Sequence, residues 1–229
     1  MKILDVKIDN LTIEEVIIKI DGFLKSEESH YIVTPNPEFL VKAQKDKEFK
    51  DILNNADLAV PDGIGLIFAS YILNQPIKER VTGVDLMERI CYRAVEMNWS
   101  VFLMGANLGI AEKAAENLRK KYPGLEIKAG FEEVIDQPEI LFVALGAPKQ
   151  EKWINDNLNK LSSVKLAIGI GGAFDFISGN IKRAPKFLRV IGLEWLWRFG
   201  CQPWRIKRIF NALIKFPWLV IKDVVKLIN

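Results

Sequence analysis

Two kinds of side chain are nearly missing from this chain: it has one histidine, His30, and two cysteines, Cys91 and Cys201. A single imidazole excludes a His-rich metal site and any mechanism that needs two histidines. Two cysteines outside any C-x-x-C or zinc-type spacing exclude a disulfide scaffold, and they fit the reducing cytoplasm. No stretch reaches the roughly 18 uncharged apolar residues that a spanning helix needs. The first residues, MKILDVKIDN, are too charged to read as a secretory leader. There is no G-x-G-x-x-G fingerprint and no Walker loop. No aspartate-x-aspartate pair is present to hold a nucleotide-bound divalent cation, so a metal-independent site with no cofactor is expected. Internal repeats and low-complexity segments are absent too. What remains is 229 residues, 49% hydrophobic and 27% charged, a globular composition suited to one α/β domain plus an appendage.

The charge is unevenly placed. Residues 181–229 carry 11 basic and 2 acidic side chains, a balance of +9, while residues 1–180 balance at −6. A basic tail on an acidic body points to an anionic partner: nucleic acid, a phosphorylated ligand or a membrane surface. The tail also holds Trp195, Trp197, Trp204 and Trp218, four of the six tryptophans. From Trp204 onward, apolar residues such as Ile206, Ile209, Phe210, Leu213, Val220 and Val224 recur at three-four spacing, as on one helix face. Arg208, Lys215 and Lys222 mark another face, and Pro217 predicts an interruption or kink. A basic amphipathic helix with interfacial tryptophans reads as a membrane-surface element. Packing on the body or on another subunit is the alternative.

Ahead of the tail, strand-like and helical runs alternate. Strands are predicted at Tyr31–Thr34, Asp57–Val60, Val101–Met104, Leu125–Ile127, Ile140–Leu145 and Leu166–Ile170. Helices are predicted over about 37–54, 64–73, 83–97 and 109–121, with another after Pro148. Continuously apolar strands alternating with helices predict an α/β fold, a Rossmann-like, mostly parallel sheet covered on both faces. Ligands then bind at the carboxyl ends of the strands. Five of those ends carry Gly, Pro, Asn or Asp: residues 34–37, 61–63, 105–107, 146–150 and 171–175.

Asp62, between Pro61 and Gly63, ends a strand where a carboxylate can face a cleft in partly dry surroundings. That placement suits a general base and equally suits a helix cap. Thr34 and Asn36 offer hydroxyl and amide groups to a sugar, or cap a turn. Gly105 and Asn107, with Gly171 and Gly172, allow close backbone approach to phosphate oxygens, or only make turns. Gln150 and Glu151 open a helix after Pro148. Arg80 is able to clamp an anion or to lie solvated. Asp175, between two phenylalanines, is suited to a ribose or base edge, or to a turn.

Taken together, the motifs resemble those of one family. They are Thr34-Pro35-Asn36-Pro37-Glu38, Val60-Pro61-Asp62-Gly63, Glu79 to Leu86, Leu103 to Ala106, LFVALGAPKQEKW (141–153), GIGGAFDFISGNIKRAP (169–185) and GLEWLWRF (192–199). In order and wording they resemble the WecG/TagA/CpsF glycosyltransferases over nearly the whole chain. The resemblance implies transfer of a sugar from a UDP-sugar donor to a polyprenyl-diphosphate-linked sugar acceptor. The place implied is the inner face of the cytoplasmic membrane, where the enzyme is a peripheral protein. For the TagA-like branch it implies UDP-N-acetylmannosamine, an N-acetylglucosaminyl-diphospho-undecaprenol acceptor and an inverting β-1,4 transfer, in teichoic acid synthesis. It further implies Asp62 as general base, with Thr34, Asn36, Arg80 and Gln150 in the pocket. Arg198, Arg205 and Arg208 would complete the site when the tail docks at the membrane. The expected division is a catalytic domain at 1–191 and a membrane-targeting appendage at 192–229. One departure is the short segment between Phe131 and Ile140, where the family pattern is longer.

Other readings stay open at this stage. One is a family member using a different donor, such as UDP-N-acetylmannosaminuronic acid or UDP-glucose. Another is a non-catalytic module that binds phosphate or nucleic acid. The helical apolar stripe argues against nucleic acid, whose readers interleave aromatics with exposed basic residues. A homo-oligomer with the tail as a swapped arm is the third.

Overall fold

A computed structural model describes residues 1–131 and 133–228. The chain opens with a small hairpin of β1 (Lys2–Ile3) and β2 (Val6–Lys7), followed by α1 (Ile13–Lys25). Thr12 and Glu15 form a reciprocal capping box that starts α1. Then come β3 (His30–Val33), α2 (Pro37–Ala43), α3 (Lys47–Asn55), β4 (Leu58–Ala59), α4 (Ile64–Ile72) and α5 (Gly83–Met97). The body continues through β5 (Val101–Gly105), α6 (Ile110–Lys121), β6 (Ile127–Gly130), β7 (Ile140–Ala144), α7 (Lys149–Asn157), β8 (Leu166–Gly169) and α8 (Ala173–Ile177). Four helices follow: α9 (Lys186–Val190), α10 (Glu194–Cys201), α11 (Ile206–Phe210) and α12 (Phe216–Ile228).

Six strands form one sheet in the order β4-β3-β8-β7-β5-β6, and every neighbouring pair is parallel. The expected α/β class is therefore found. Both faces are covered, so alternate residues of one strand enter different cores. Ile140 and Phe142 join a cluster under α1, α5, α6 and α8, while Leu141 and Val143 pack under α7. Likewise Ile32 faces the first cluster and Val33 the core made by α2, α3 and α4.

Two local expectations change. The helix predicted over 37–54 is two helices, because Asp46 leaves the helical conformation and accepts from the Phe49 amide to cap α3. The strand predicted at 125–127 is shifted to Ile127–Gly130, where it pairs with β5 as the sheet edge. The short segment 131–139 then carries the chain from β6 past β5 to β7, and no helix lies among its described residues.

The tail is folded over the strand ends. A π-helical stretch at Asn211–Lys215 joins α11 to α12 in one continuous helical run, and Pro217 follows that wider stretch directly, at the second position of α12. Phe216 and Val220 are buried in the core of α2, α3 and α4. Gly65 of α4 makes that junction possible: a Cβ there would lie 2.6 Å from Pro37 and 3.7 Å from the Phe216 ring. No helix among the described residues is long and apolar enough to cross a membrane.

Candidate active site

The carboxyl ends of β3, β4, β5, β7 and β8 open into one cavity of about 960 Å³, roofed by α10, α11 and α12. Small-molecule sites run to roughly 300–1,000 Å³, so this one has room for a large ligand or two. Among the residues singled out from the sequence, Thr34, Asn36, Asp62, Arg80, Asn107, Gln150, Gly171, Gly172, Asp175, Arg198, Arg205 and Arg208 all line it. Gly105 does not: it ends β5 with φ +94°, and a Cβ there would lie 2.9 Å from the Leu145 side chain.

Asp62 follows β4 in a turn fixed by its own amide, which donates to the Pro35 carbonyl at 2.8 Å. Its carboxylate receives one long hydrogen bond, 3.4 Å from the Gly83 amide at the start of α5. Burial pushes the Asp62 carboxyl up to about 6; the Gly83 amide and Arg80 pull against that, while Glu194 and Asp85 add to it. A base of that pKa is ionised near neutral pH yet still accepts a proton readily. Asp62 does not serve as a side-chain cap of α4, whose N-cap is Gly63.

The polar ring around it is held by specific bonds. Thr34 is buried and donates its hydroxyl to the Gly169 carbonyl at 3.0 Å, tying β3 to the end of β8. Asn36 uses its side-chain oxygen to cap α2, accepting from the Glu38 and Phe39 amides. Gln150 accepts from the Gly146 and Gly171 amides at 3.1 and 3.0 Å and donates to Glu151 at 2.6 Å. One amide side chain thus joins the loops after β7 and β8. Glu151 is fully buried, its second carboxyl oxygen is unpartnered, and burial pushes its carboxyl up to about 7. Arg80 donates to the Arg189 carbonyl at 2.6 Å, which fixes the end of α9 against the site.

Three arginines come down from the roof. Arg198 pairs with Asp175 at 3.0 Å and lies over the Phe176 ring at 4.6 Å. Arg208 pairs with Glu38 at 2.5 Å, and Lys42 reaches the other Glu38 oxygen at 3.0 Å. Burial alone would raise the Glu38 carboxyl, but Arg208 and Lys42 outweigh it and hold it below the usual range. Arg205 makes its hydrogen bond to the neutral Gln202, at 2.8 Å, and Gln202 accepts from Arg198 as well. Burial, then the like charges of Arg198 and Arg208, push the Arg205 guanidinium down to about 9. Such a cluster gains from an anion that all three can share. Gly172 lets Arg198 approach: a Cβ there would lie 2.2 Å from its guanidinium nitrogen.

Some contributors were not singled out from the sequence. Glu38 sits in the first turn of a helix, where an acid ordinarily needs no partner beyond the helix dipole. Gln202 lies four residues after Arg198 and three before Arg205, a helical spacing that does carry a signal. Arg183 bridges Asp85 at 2.7 Å and Glu194 at 3.3 Å, locking α10 to the start of α5.

The chain is 32% identical over 225 residues to an N-acetylglucosaminyldiphosphoundecaprenol N-acetyl-beta-D-mannosaminyltransferase of Bacillus subtilis (strain 168), covering 89% of this chain and 87% of the relative. It is 34% identical to a protein of the same name from Bacillus spizizenii over 87% of this chain and 82% of that one. A Staphylococcus aureus (strain MRSA252) protein of that name is 33% identical over 86% and 82%. A family profile matches residues 1–229, so the chain belongs to the Glycosyl transferase WecG/TagA/CpsF family.

Proposed function

We propose that this protein transfers N-acetylmannosamine from its UDP derivative to the 4-hydroxyl of N-acetylglucosaminyl-diphospho-undecaprenol, with inversion. The relatives' names supply the sugar and the acceptor. The observation that carries the chemistry is a single carboxylate, raised toward neutrality, in one cavity with three convergent arginines.

In this reading the ionised Asp62 takes the proton from the acceptor hydroxyl as its oxygen attacks the anomeric carbon. The bond from that carbon to the diphosphate oxygen breaks, and UDP leaves with the electron pair. Arg198, Arg205 and Arg208 take up the charge on the departing diphosphate. Preorganised donors in a partly dry site serve this best, because they need no reorganisation when charge develops. Asn107 and Gly171, at the tips of the sheet, line the same cavity and are offered to the donor, and Arg80 ties the end of α9 to the site through the Arg189 carbonyl.

The protein meets its lipid-borne acceptor as a peripheral protein. Phe187, Val190, Trp204, Phe210, Trp218 and Ile221 are all more than half exposed on the same tail that carries the basic residues. Apolar groups that enter the headgroup region, next to cations that attract anionic lipid, make a surface anchor.

The test is a panel of UDP-sugars against a lipid-diphosphate N-acetylglucosamine acceptor on anionic vesicles, with and without a chelator. UDP release with the N-acetylmannosamine donor, unchanged by chelator, is the expected result. Transfer from another donor alone would overturn the assignment of the sugar, and no transfer from any donor would overturn the reaction.

A further inference from the structure

The reaction above gives Glu151 no task, although the residue is costly to keep. It is fully buried in the first turn of α7, its second carboxyl oxygen has no hydrogen-bond partner among the described residues, and burial raises its carboxyl. An apolar side chain of the same length would avoid that cost. Glu151 does not line the cavity, but Gln150 beside it does. Gln150 spends its side-chain oxygen on two amides, those of Gly146 after β7 and Gly171 after β8. Its nitrogen donates to Glu151 at 2.6 Å. The last torsion of a glutamine is broad, and both loop bonds end on one atom, so a turn of the amide weakens the two together.

We propose that Glu151 is a positioning residue: by holding the Gln150 nitrogen it keeps the loops after β7 and β8 in the shape that receives the donor's UDP. The inference rests on the donor proposed above and adds a residue that acts on it from behind the cavity wall. Strand β8 is built around the pair. A Cβ on Gly169 would lie 2.8 Å from the Gln150 nitrogen and 2.9 Å from the Glu151 oxygen, so a glycine ends the strand there. The Gly169 carbonyl accepts from Thr34 at 3.0 Å, which ties β3 to the same point. Lys42 of α2 draws the Glu151 carboxyl down and donates to the Ala147 carbonyl, after β7, at 2.8 Å. What the grip controls comes next in the chain: Gly171 lines the cavity, and Gly172 makes room for Arg198. A shift of the loop after β8 therefore moves the cavity wall and the seat of Arg198 at once. Packing alone does not need an acceptor at this point, whereas the Gln150 nitrogen does.

Titration calorimetry with UDP separates this role from a loss of fold, because affinity and the number of competent sites are read independently. Glu151→Met keeps the length of the side chain without its acceptor. Its dissociation constant for UDP is expected to rise by about tenfold, the scale of a lost buried hydrogen bond, at unchanged stoichiometry. Glu151→Gln still offers an oxygen to the Gln150 nitrogen and restores the parent affinity. Gln150→Met weakens UDP by itself, and the double variant Gln150→Met, Glu151→Met is no weaker than the worse single one, because one residue acts through the other. If Glu151→Met is too unstable to titrate, Gly169→Ala replaces it: the new methyl parts the pair, and UDP binding weakens in the same way. A merely structural role would lower the number of competent sites and leave the dissociation constant where it was, and that result overturns the inference. So does a Gln variant as weak as the Met variant, additivity in the double variant, or unchanged affinity in Gly169→Ala. If the affinities behave as expected but the parent transfers no sugar, the positioning role stands and the proposed reaction falls.

Discussion

Replacing Asp62 with Asn is expected to make the protein more stable and nearly inactive at once. The carboxyl has an ordinary value of 3.8 and is pushed up to about 6 in the fold. Protonation is therefore easier in the folded than in the unfolded chain. The stability linked to this proton is fully present below 3.8 and is lost as pH rises through about 6. A shift of about 2 units corresponds to about 3 kcal/mol at pH 8. Asn carries no charge at any pH, so it escapes that cost and keeps an oxygen for the Gly83 amide. For a chain of this size about 1 kcal/mol moves the midpoint by about 2–4 °C. Thermal unfolding at pH 8 is thus expected to rise by several degrees, with the difference vanishing near pH 4. Turnover is expected to fall by about 10²- to 10⁴-fold, the usual contribution of a general base. In the parent, the rate climbs with pH through about 6 and then levels, as the base loses its proton. A destabilised variant would refute the burial argument, and a rate independent of pH between 5 and 7 would refute the assignment of the base.

Four further outcomes are expected. Arg205→Gln weakens donor binding by about 10- to 100-fold, the scale of a lost charge-assisted hydrogen bond, read as KM for the UDP-sugar; an unchanged KM removes Arg205 from the diphosphate site. Gly172→Ala drives its new methyl into Arg198, so activity drops while the circular dichroism spectrum stays the same; full activity would show that Arg198 need not sit there. Phe216→Ala costs about 3–5 kcal/mol in denaturant unfolding, because its ring is buried with the α2 and α4 core, and a loss below about 1 kcal/mol would mean that the tail is only loosely laid on the body. Glu151 is pushed up from 4.5 to about 7 by burial, so its share of stability is present below 4.5 and lost as pH rises through 7. Glu151→Gln is expected to flatten the decline between pH 5 and 8, and an unchanged slope would place that decline elsewhere.

Much of the body is legible in the sequence because its signals are local. Val101 to Met104 and Ile140 to Ala144 are unbroken apolar runs, and such runs need a sheet buried on both faces. Thr82, capping α5, and Thr12, capping α1, follow the same short-range chemistry, although helix α1 and the opening hairpin carry no functional motif and drew no prediction. What the sequence does not display is long-range pairing. The split at Asp46 depends on a single cap outweighing apolar periodicity. The pairing of Glu38 with Arg208 spans 170 residues, and no spacing rule connects them. The same holds for Gln150, whose family pattern suggests a pocket residue but whose side-chain oxygen also staples two loops. Asn36 is similar, its oxygen spent on a helix cap. Its pocket position and its cap are one fact, since the cap holds the residue at the cavity wall.

The tail explains why the charge split in the sequence is so strong. An anionic diphosphate needs cations, but cations crowded into a protein interior repel one another and lose hydration. Here the cost is lowered by acids on the body, Glu38 for Arg208 and Asp175 for Arg198, and by sharing Gln202 between Arg198 and Arg205. Those bonds also pin the tail over the strand ends, together with Arg183 on Asp85 and Glu194 and Phe216 in the core. The contacts that dock the tail are therefore the ones that orient its arginines. Loosening the tail would scatter the positive charge and uncover Asp62 to water, which would lower its pKa toward 3.8 and weaken it as a base. In the proposed reaction, basicity at the strand tip and anion binding at the roof would then depend on the same packing, and a change that frees the tail should lower both together.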